Sequence, residues 1–264
     1  MRKTPRRHRR KTRRLKGGRA GTIRRLVHMD DSVPVIGAGS FGLMVRSFNP
    51  DIAIKLIYDL DGCKDMYHEA AMQTRAKDIL VASCPDVGVP EVYYIENKEL
   101  RYKGRRYLCG IGMTYLPFPS GYNECVHITL GYSGYDLNTS WGVETLKPVG
   151  SDNPTRGFFA DANRLEDIWE TEGSYMSVER LAAIMGRATA ALVSAGYLPI
   201  DVEWIWSGGR PWLIDFGMCR LGNMTREAFL NYPVYGPNAD IYIPKAGDEG
   251  YDTFMNAYLS YEHA

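Results

Sequence analysis

Apolar positions change their spacing along the chain, and the spacing predicts the order of secondary-structure elements. Short apolar runs at residues 33–36 and 52–56 lie on either side of a glycine cluster, which predicts strands joined by a turn. Residues 62–80 have the spacing of a helix, and two further strands are expected at 92–95 and 107–115. The first half of the body should therefore follow the order β-β-β-α-β-β.

The second half of the chain contains one long apolar stripe. A helix should open at Ser177, because the apolar residues between 178 and 193 recur on one helical face. Two short apolar strands, 203–206 and 212–214, follow it. Residues 251–259 place apolar side chains at i, i+3, i+4, i+7 and i+8, which predicts a final amphipathic helix. The expected fold class is α+β.

Length and composition divide the chain into a tail and a body. The 264 residues are 45% hydrophobic and 24% charged, which is ordinary for a globular chain whose core needs no disulfide or structural metal. Residues 1–31 are expected to be a disordered basic tail, residues 32–116 a β-rich unit and residues 117–264 a small, largely helical unit. Residues 117–160 are rich in Pro, Gly, Ser, Asn and Tyr and are expected to be mostly irregular.

The cysteines and the hydropathy pattern indicate an intracellular protein. The five cysteines are odd in number and widely spaced, with no CxxC pair and no zinc-ligand spacing, which favours free thiols in a reducing compartment. No apolar run reaches the roughly 18 residues of a membrane span, and no signal-peptide core follows the basic N-terminus. We expect no membrane partner, no secretion, and a location in the cytoplasm, the nucleus or a virion.

Charge is distributed unevenly, although the formal net charge is only +1. Residues 1–25 hold 13 of the 32 Lys and Arg and none of the 31 Asp and Glu, so the rest of the chain is acidic. A segment with this composition predicts disorder. It fits non-specific contact with nucleic acid phosphates, nuclear targeting, or docking on an acidic partner, and composition does not separate these alternatives.

A glycine-rich run and a lysine provide the first candidate chemistry. The run Gly37-Ala38-Gly39-Ser40-Phe41-Gly42 has the GxGxxG spacing of loops that cover phosphates, although an ordinary hairpin would also use glycines. A strand follows it rather than a helix, which favours a lid over ATP phosphates and weakens a dinucleotide site. That strand carries Lys55 among apolar residues, and a buried ammonium requires a partner.

An acidic residue at the end of an apolar strand provides the second candidate. The segment 213–217 reads Leu-Ile-Asp-Phe-Gly, and Asp215 in this position suits Mg²⁺ held between protein and phosphate. The order of glycine loop, Ala-Ile-Lys, helix with Glu69 and Asp-Phe-Gly resembles the protein-kinase-like superfamily over residues 33–220. The resemblance implies a bilobal fold, with residues 32–116 as a β-rich N-lobe and residues 117–264 as a reduced helical C-lobe.

The resemblance also implies a role for each candidate residue, with ATP and Mg²⁺ as cofactors. Glu69 would pair with Lys55, and Asp65 on the same helix is an alternative partner. The segment 113–117 resembles the interlobe hinge that receives adenine, although an ordinary strand end fits equally well. The implied nucleotide-binding residues are Gly37, Gly39, Ser40, Phe41, Gly42, Lys55, Glu69, Met113 and Tyr115, with Asp215 and Glu203 on the metal and Asp201, Lys55 and Asp215 in catalysis.

The catalytic loop departs from the common kinase pattern HRDxxxxN. If the strand at 204–206 is aligned with the strand after that loop, Glu203 takes the Asn position and Leu198 the position of the catalytic Asp. If Asp201 is the base, the loop is three residues shorter. Glu203 can ligate magnesium in either alignment because its carboxylate is a hard oxygen donor. Only 47 residues follow Gly217, fewer than the peptide-docking C-lobe of a conventional protein kinase needs. The arrangement is closer to that of small-molecule kinases of the aminoglycoside and choline type.

Two further likenesses concern the family rather than the chemistry. Residues 200–220, followed by 240–258, resemble an uncharacterised kinase-related family that is best populated in fungi and has carried a zinc-finger label. The Arg-rich start resembles N-termini in large DNA viruses. Three hypotheses follow: an ATP-dependent phosphotransferase with a protein or small-molecule acceptor, an inactive pseudokinase scaffold, and a nucleic-acid-associated or virion protein that acts through its tail.

Overall fold

The computed structural model describes residues 32–39, 42–123, 125–128, 158–160, 162–231, 244 and 246–262. The basic tail lies outside the described residues. So do Ser40 and Phe41 at the tip of the glycine loop, and most of the segment 117–160 that was expected to be irregular.

A five-stranded antiparallel sheet forms the first region of the fold. Its strands are β1 (Val35–Gly39), β2 (Gly42–Arg46), β3 (Ile52–Ile57), β4 (Val92–Glu96) and β7 (Cys109–Thr114). Their order in the sheet is β1-β2-β3-β7-β4, and β4 and β7 are the last two strands of the predicted β-β-β-α-β-β order. Lys55 and Ile111 are direct partners across the β3–β7 pair.

Different elements cover the two faces of this sheet. Helix α1 (Leu60–Ser83) covers one face, where its Met66 packs against Ile57 and Ile111. A hairpin of β5 (Leu100–Tyr102) and β6 (Arg105–Tyr107) is associated with the other face, and its tyrosines pack with Ile54 and Leu56. The alternation of side chains along β3 therefore directs Lys55 toward the helix. The hairpin is an addition to the predicted order.

A disulfide joins α1 to the sheet, which corrects the expectation that the cysteines are free thiols. Cys63 on α1 is bonded to Cys109 on β7, with a Cα–Cα distance of 5.9 Å. The two residues are 46 positions apart, and only the packing of the helix on the sheet brings them together. Cys84, Cys125 and Cys219 are free thiols, as expected.

The second region is built around α3 (Val178–Ser194), which begins where the sequence predicts. The Ser177 side chain caps it by accepting a hydrogen bond from the Arg180 N–H. Helix α5 (Tyr251–Leu259) crosses it so closely that a Cβ at Gly186 would collide with the Phe254 carbonyl oxygen. The other helices are α2 (Ala162–Glu172) and α4 (Arg226–Leu230).

Two small sheets complete this region, and the loops next to their strands carry Asp201 and Asp215. The strands are β8 (Val126–Ile128), β9 (Phe158–Ala160), β10 (Tyr197–Leu198), β11 (Glu203–Ser207), β12 (Arg210–Ile214) and β13 (Arg220–Leu221). One sheet has the strand order β12-β11-β8-β9, and the other pairs β10 with β13. The short strands β8 and β9 lie within the segment 117–160 that was expected to be mostly irregular, and most of that segment lies outside the described residues.

The described residues form a mixed structure of an antiparallel sheet and separate helices, in agreement with the α+β class. The apolar core of the second region includes residues from the C-terminal half of α1, namely Met72, Ala76 and Leu80. Helix α1 thus contributes to the cores of both regions. No helix within the described ranges is long and apolar enough to cross a membrane.

Candidate functional site

Lys55 and Glu69 form an ion pair between β3 and α1. The Lys55 Nζ lies 2.6 Å from Oε1 of Glu69, and both side chains are largely buried. Glu69 is therefore the partner that the sequence proposed, whereas the alternative, Asp65, is exposed. Burial alone would lower the pKa of Lys55, but the attraction of Glu69, Asp215 and Glu203 together outweighs burial and raises the pKa above its ordinary value. Lys55 remains a cation at neutral pH.

Further carboxylates act on the same lysine from the second region. Asp215 follows β12 and Glu203 begins β11, and both contribute to the raised pKa of Lys55. The structure thus brings together Lys55, Glu69, Asp215 and Glu203, which are separated by up to 160 positions in the sequence. A cation is surrounded here by acids from both regions of the molecule.

Asp201 belongs to the same group of charges. It lies between β10 and β11, and its pKa is raised by burial and by the neighbouring carboxylates of Asp215 and Glu203. Mutual repulsion of this kind requires the three acids to lie close together. It also creates a concentration of hard oxygen donors, which suits a divalent cation.

The backbone at Asp201 and Asp215 is unusual. Both have positive φ angles, 55° and 60°, in the left-handed region that side chains other than glycine rarely adopt. Lys103, in the turn of the β5–β6 hairpin, shares this feature with a φ of 47°. Such conformations are concentrated at functional sites, where the surrounding structure maintains them. Two of the predicted catalytic residues therefore have a backbone typical of a site.

His127 is a neighbour of this group that the sequence did not reveal. It lies on β8, and its Nδ1 is 3.3 Å from Oε2 of Glu203. The imidazole is buried. Glu203 therefore contacts a buried histidine as well as lying near Asp201 and Asp215. No motif marked His127, since a strand of three residues is too short to show periodicity.

A second histidine connects α1 to the segment after Asp215. The Nε2 of His68 lies 2.7 Å from the carbonyl oxygen of Cys219, and the Cys219 thiol lies 3.7 Å from the carbonyl oxygen of Ile200. His68 immediately precedes Glu69, and Ile200 immediately precedes Asp201. Neither His68 nor Cys219 was a predicted site residue.

The glycine loop connects the first two strands of the five-stranded sheet. Gly37 and Gly39 lie in β1, and Gly42 begins β2. A Cβ at Gly42 would collide with the Leu56 carbonyl oxygen of the neighbouring strand, so this position requires glycine for packing alone. Space at Gly37 is less restricted, because its nearest neighbour would be the Met44 side chain at 3.7 Å.

The expected hinge lies at the end of β7. Met113 is buried against α1, where the Gln73 side chain approaches its sulfur at 4.0 Å. The Tyr115 N–H donates to the carbonyl oxygen of Asp51 at 2.9 Å, and the Arg46 guanidinium lies 4.6 Å from the centre of the Tyr115 ring. The amide of Tyr115 is thus engaged within the protein.

The carboxylates offer a limited set of metal ligands. In the part of the chain that the structure describes, no group of three or more His, Cys, Asp or Glu side chains is placed to hold a metal ion. Magnesium bound with nucleotide phosphates takes one or two protein carboxylates and completes its shell with phosphate and water oxygens. Asp215 and Glu203 fit this smaller requirement.

Comparison with protein-family models found no match, and comparison with curated proteins found none either. The functional conclusion therefore depends on the residues and geometry of the site itself.

Proposed function

We propose that the protein is a reduced bilobal member of the protein-kinase-like superfamily that binds ATP with Mg²⁺ and transfers a phosphoryl group from it. Residues 32–116 would form the N-lobe and residues 117–264 the C-lobe. The observation that carries the proposal is the buried Lys55–Glu69 ion pair at 2.6 Å, placed within electrostatic reach of Asp215. A buried charge pair is weak evidence of a stabilising role, because well-packed apolar residues would often stabilise the same position equally well or better.

Lys55 is the proposed ligand of the α- and β-phosphates. Its ammonium is held by Glu69 and kept protonated, so it presents a fixed positive charge at the face of the sheet. The β1–β2 loop connects the neighbouring strands, and in this proposal it covers the phosphates with backbone amides. Phosphoryl transfer depends mainly on such positioning and on charge neutralisation.

Asp215 and Glu203 are the proposed metal ligands. Their acidic neighbourhood supports this role, because a dense group of carboxylates is relieved by a divalent cation. When held there by Asp215 and Glu203, magnesium would supply positive charge that offsets the negative charge developing during phosphoryl transfer. The contact of Glu203 with His127 would hold its carboxylate in one orientation.

Asp201 is the proposed base that orients the acceptor hydroxyl. In the alternative alignment Leu198 takes the base position, but Leu198 is a buried apolar residue in β10, paired with Arg220. Asp201 is partly buried but keeps an exposed surface, and it lies near Asp215, which supports the alignment with the shortened loop. A general base must lie within hydrogen-bond distance of the acceptor hydroxyl, and the exposed surface of Asp201 leaves room for an acceptor to approach it.

A nucleotide-binding scaffold without transfer is the second candidate, and one observation favours it. Glu203 replaces the neutral Asn of common kinases and is engaged by His127, so part of its capacity as a metal ligand is already used. The prediction that residues 1–25 bind nucleic acid or an acidic partner stays a prediction, because they lie outside the described residues.

Calorimetric titration with ATP, with and without Mg²⁺, tests the proposed function. The wild type should bind ATP more tightly with Mg²⁺, and Asp215→Asn should abolish that difference because an amide does not replace an anionic ligand. Asparagine also tolerates the left-handed backbone at this position. Asp65→Asn, which removes an exposed carboxylate from α1, is the matched control. Absence of ATP binding by the wild type would overturn the proposal.

A further inference from the structure

Cys219 is a junction between three segments of the site. Its carbonyl oxygen accepts a hydrogen bond from Nε2 of His68 at 2.7 Å. Because a carbonyl oxygen can only accept, Nε2 must carry the proton. His68 is the residue before Glu69, so this hydrogen bond starts from α1 one position from the partner of Lys55.

Two further contacts of Cys219 involve the residues next to Asp201 and Asp215. Its thiol donates to the carbonyl oxygen of Ile200 at 3.7 Å, next to Asp201. Its N–H donates to the carbonyl oxygen of Phe216 at 3.2 Å, which closes the turn directly after Asp215. The Cys219 side chain is fully buried, so these contacts lie inside the fold rather than at its surface.

The position of His68 on α1 gives this contact a particular role. Two other polar side chains of α1 bond to the first region: Glu69 accepts a hydrogen bond from Lys55, and Gln73 donates one to the Pro90 carbonyl oxygen. The His68 bond instead crosses from α1 to the segment that follows Asp215. The imidazole is largely exposed and belongs to none of the apolar clusters, so apolar packing does not account for its position.

We propose that His68 and Cys219 form a clasp that aligns Glu69, Asp201 and Asp215 with one another. Both are positioning residues: they act through the backbone of neighbouring segments and touch no ligand themselves. The clasp itself follows from the contacts of Cys219, whereas its effect on ATP and Mg²⁺ rests on the proposed function. Residues that orient metal ligands typically contribute about 10- to 100-fold to metal affinity.

Hydrogen exchange of the full chain without nucleotide tests the clasp independently of function. In His68→Ala we expect faster amide exchange at residues 216–221, where the turn loses its tie to α1. In His68→Gln the side-chain amide can still donate to the Cys219 carbonyl, and exchange should stay close to the wild type. Tyr67→Ala, on the exposed neighbouring position of α1, is the matched control and should leave these amides unchanged.

Calorimetry with ATP then tests the consequence for the site. His68→Ala should weaken binding of ATP with Mg²⁺ by about tenfold and leave binding without Mg²⁺ within about twofold, because the clasp acts on Asp215. Loss of affinity in both conditions would indicate a merely structural role and overturn the proposal. Cys219→Ala, which removes the thiol but keeps the carbonyl, should accelerate exchange around Asp201.

Unchanged exchange at 216–221 in His68→Ala would also overturn the clasp. If the wild type binds no ATP, the proposed function fails, and the exchange measurement alone decides the clasp. The two failures are therefore distinguishable.

Discussion

Lys55 and Glu69 lie on a strand and a helix, whereas Asp201 and Asp215 lie in loops that follow β10 and β12. The first pair is fixed by regular backbone hydrogen bonds and by the disulfide between α1 and β7. The two aspartates have a left-handed backbone that only the surrounding contacts maintain. The comparison shows one half of the site supported by regular structure and the other by irregular segments that need additional ties, such as the bond from His68 to Cys219.

Substitution in the loop half should have the largest effect on chemistry and a small effect on folding. Asp201→Asn should lower the turnover of ATP to ADP by about 100-fold or more, the usual contribution of a general base, while ATP affinity stays near the wild-type value. Asparagine keeps the tolerance for a positive φ, so the melting temperature should change little. Steady-state turnover and calorimetry on the same preparation measure the two effects. Equal turnover in the two proteins would remove Asp201 from the mechanism.

Substitution in the regular half should instead change nucleotide affinity. Lys55→Met should weaken ATP binding by roughly 10- to 100-fold, the usual value of a hydrogen bond between charged groups. Glu69→Gln should have a smaller effect, since the lysine keeps its charge and loses only its anchor. Calorimetry would measure both variants against Asp65→Asn. A Glu69→Gln protein weaker than Lys55→Met would contradict the assignment of Lys55 as the phosphate ligand.

Removal of the Cys63–Cys109 disulfide measures how much this bond between α1 and β7 contributes to the stability of the protein. Cys63→Ala should lower the free energy of unfolding by about 2–4 kcal/mol, the typical contribution of a disulfide. Denaturant titrations with and without a dithiol reductant measure it. The wild type should lose stability on reduction and the variant should not. A wild type that is insensitive to reductant would show that the bond is absent in solution.

Substitution of a glycine in the β1–β2 segment should have the smallest effect, a loss of stability without a direct effect on chemistry. A Cβ at Gly42 collides with the backbone of β3, so Gly42→Ala should destabilise the protein by about 1–3 kcal/mol. Gly37→Ala is the matched control, because its Cβ would meet only the Met44 side chain at ordinary contact distance. Thermal denaturation compares the two. Equal stabilities would mean that the β1–β2 turn can shift away from β3.

Local sequence signals were sufficient for the regular half of the site. The helix at 62–80 and the lysine on β3 follow from periodicity, and the cap at Ser177 follows from residue type. The β5–β6 hairpin also had a signal, since Leu100 and Tyr102 alternate with polar residues before Gly104. The expected strands at 92–95 and 107–115 leave this segment without an element, because its many charged residues obscure the alternation.

Contacts between distant segments could not be predicted in the same way. The partners Cys63 and Cys109 are 46 residues apart, and the His68–Cys219 contact spans 151 residues. His127 reaches Glu203 only because β8 pairs with β11. Tertiary packing alone creates these contacts, so neither periodicity nor residue spacing reports them.

A crystal structure with a non-hydrolysable ATP analogue and Mn²⁺ in place of Mg²⁺ tests the central claim most directly. We predict an anomalous manganese peak between the Asp215 carboxylate and the nucleotide phosphates, with the Lys55 ammonium on the α- or β-phosphate. Both halves of the site would then contact one ligand. Nucleotide and metal bound away from Lys55 and Asp215 would contradict the account.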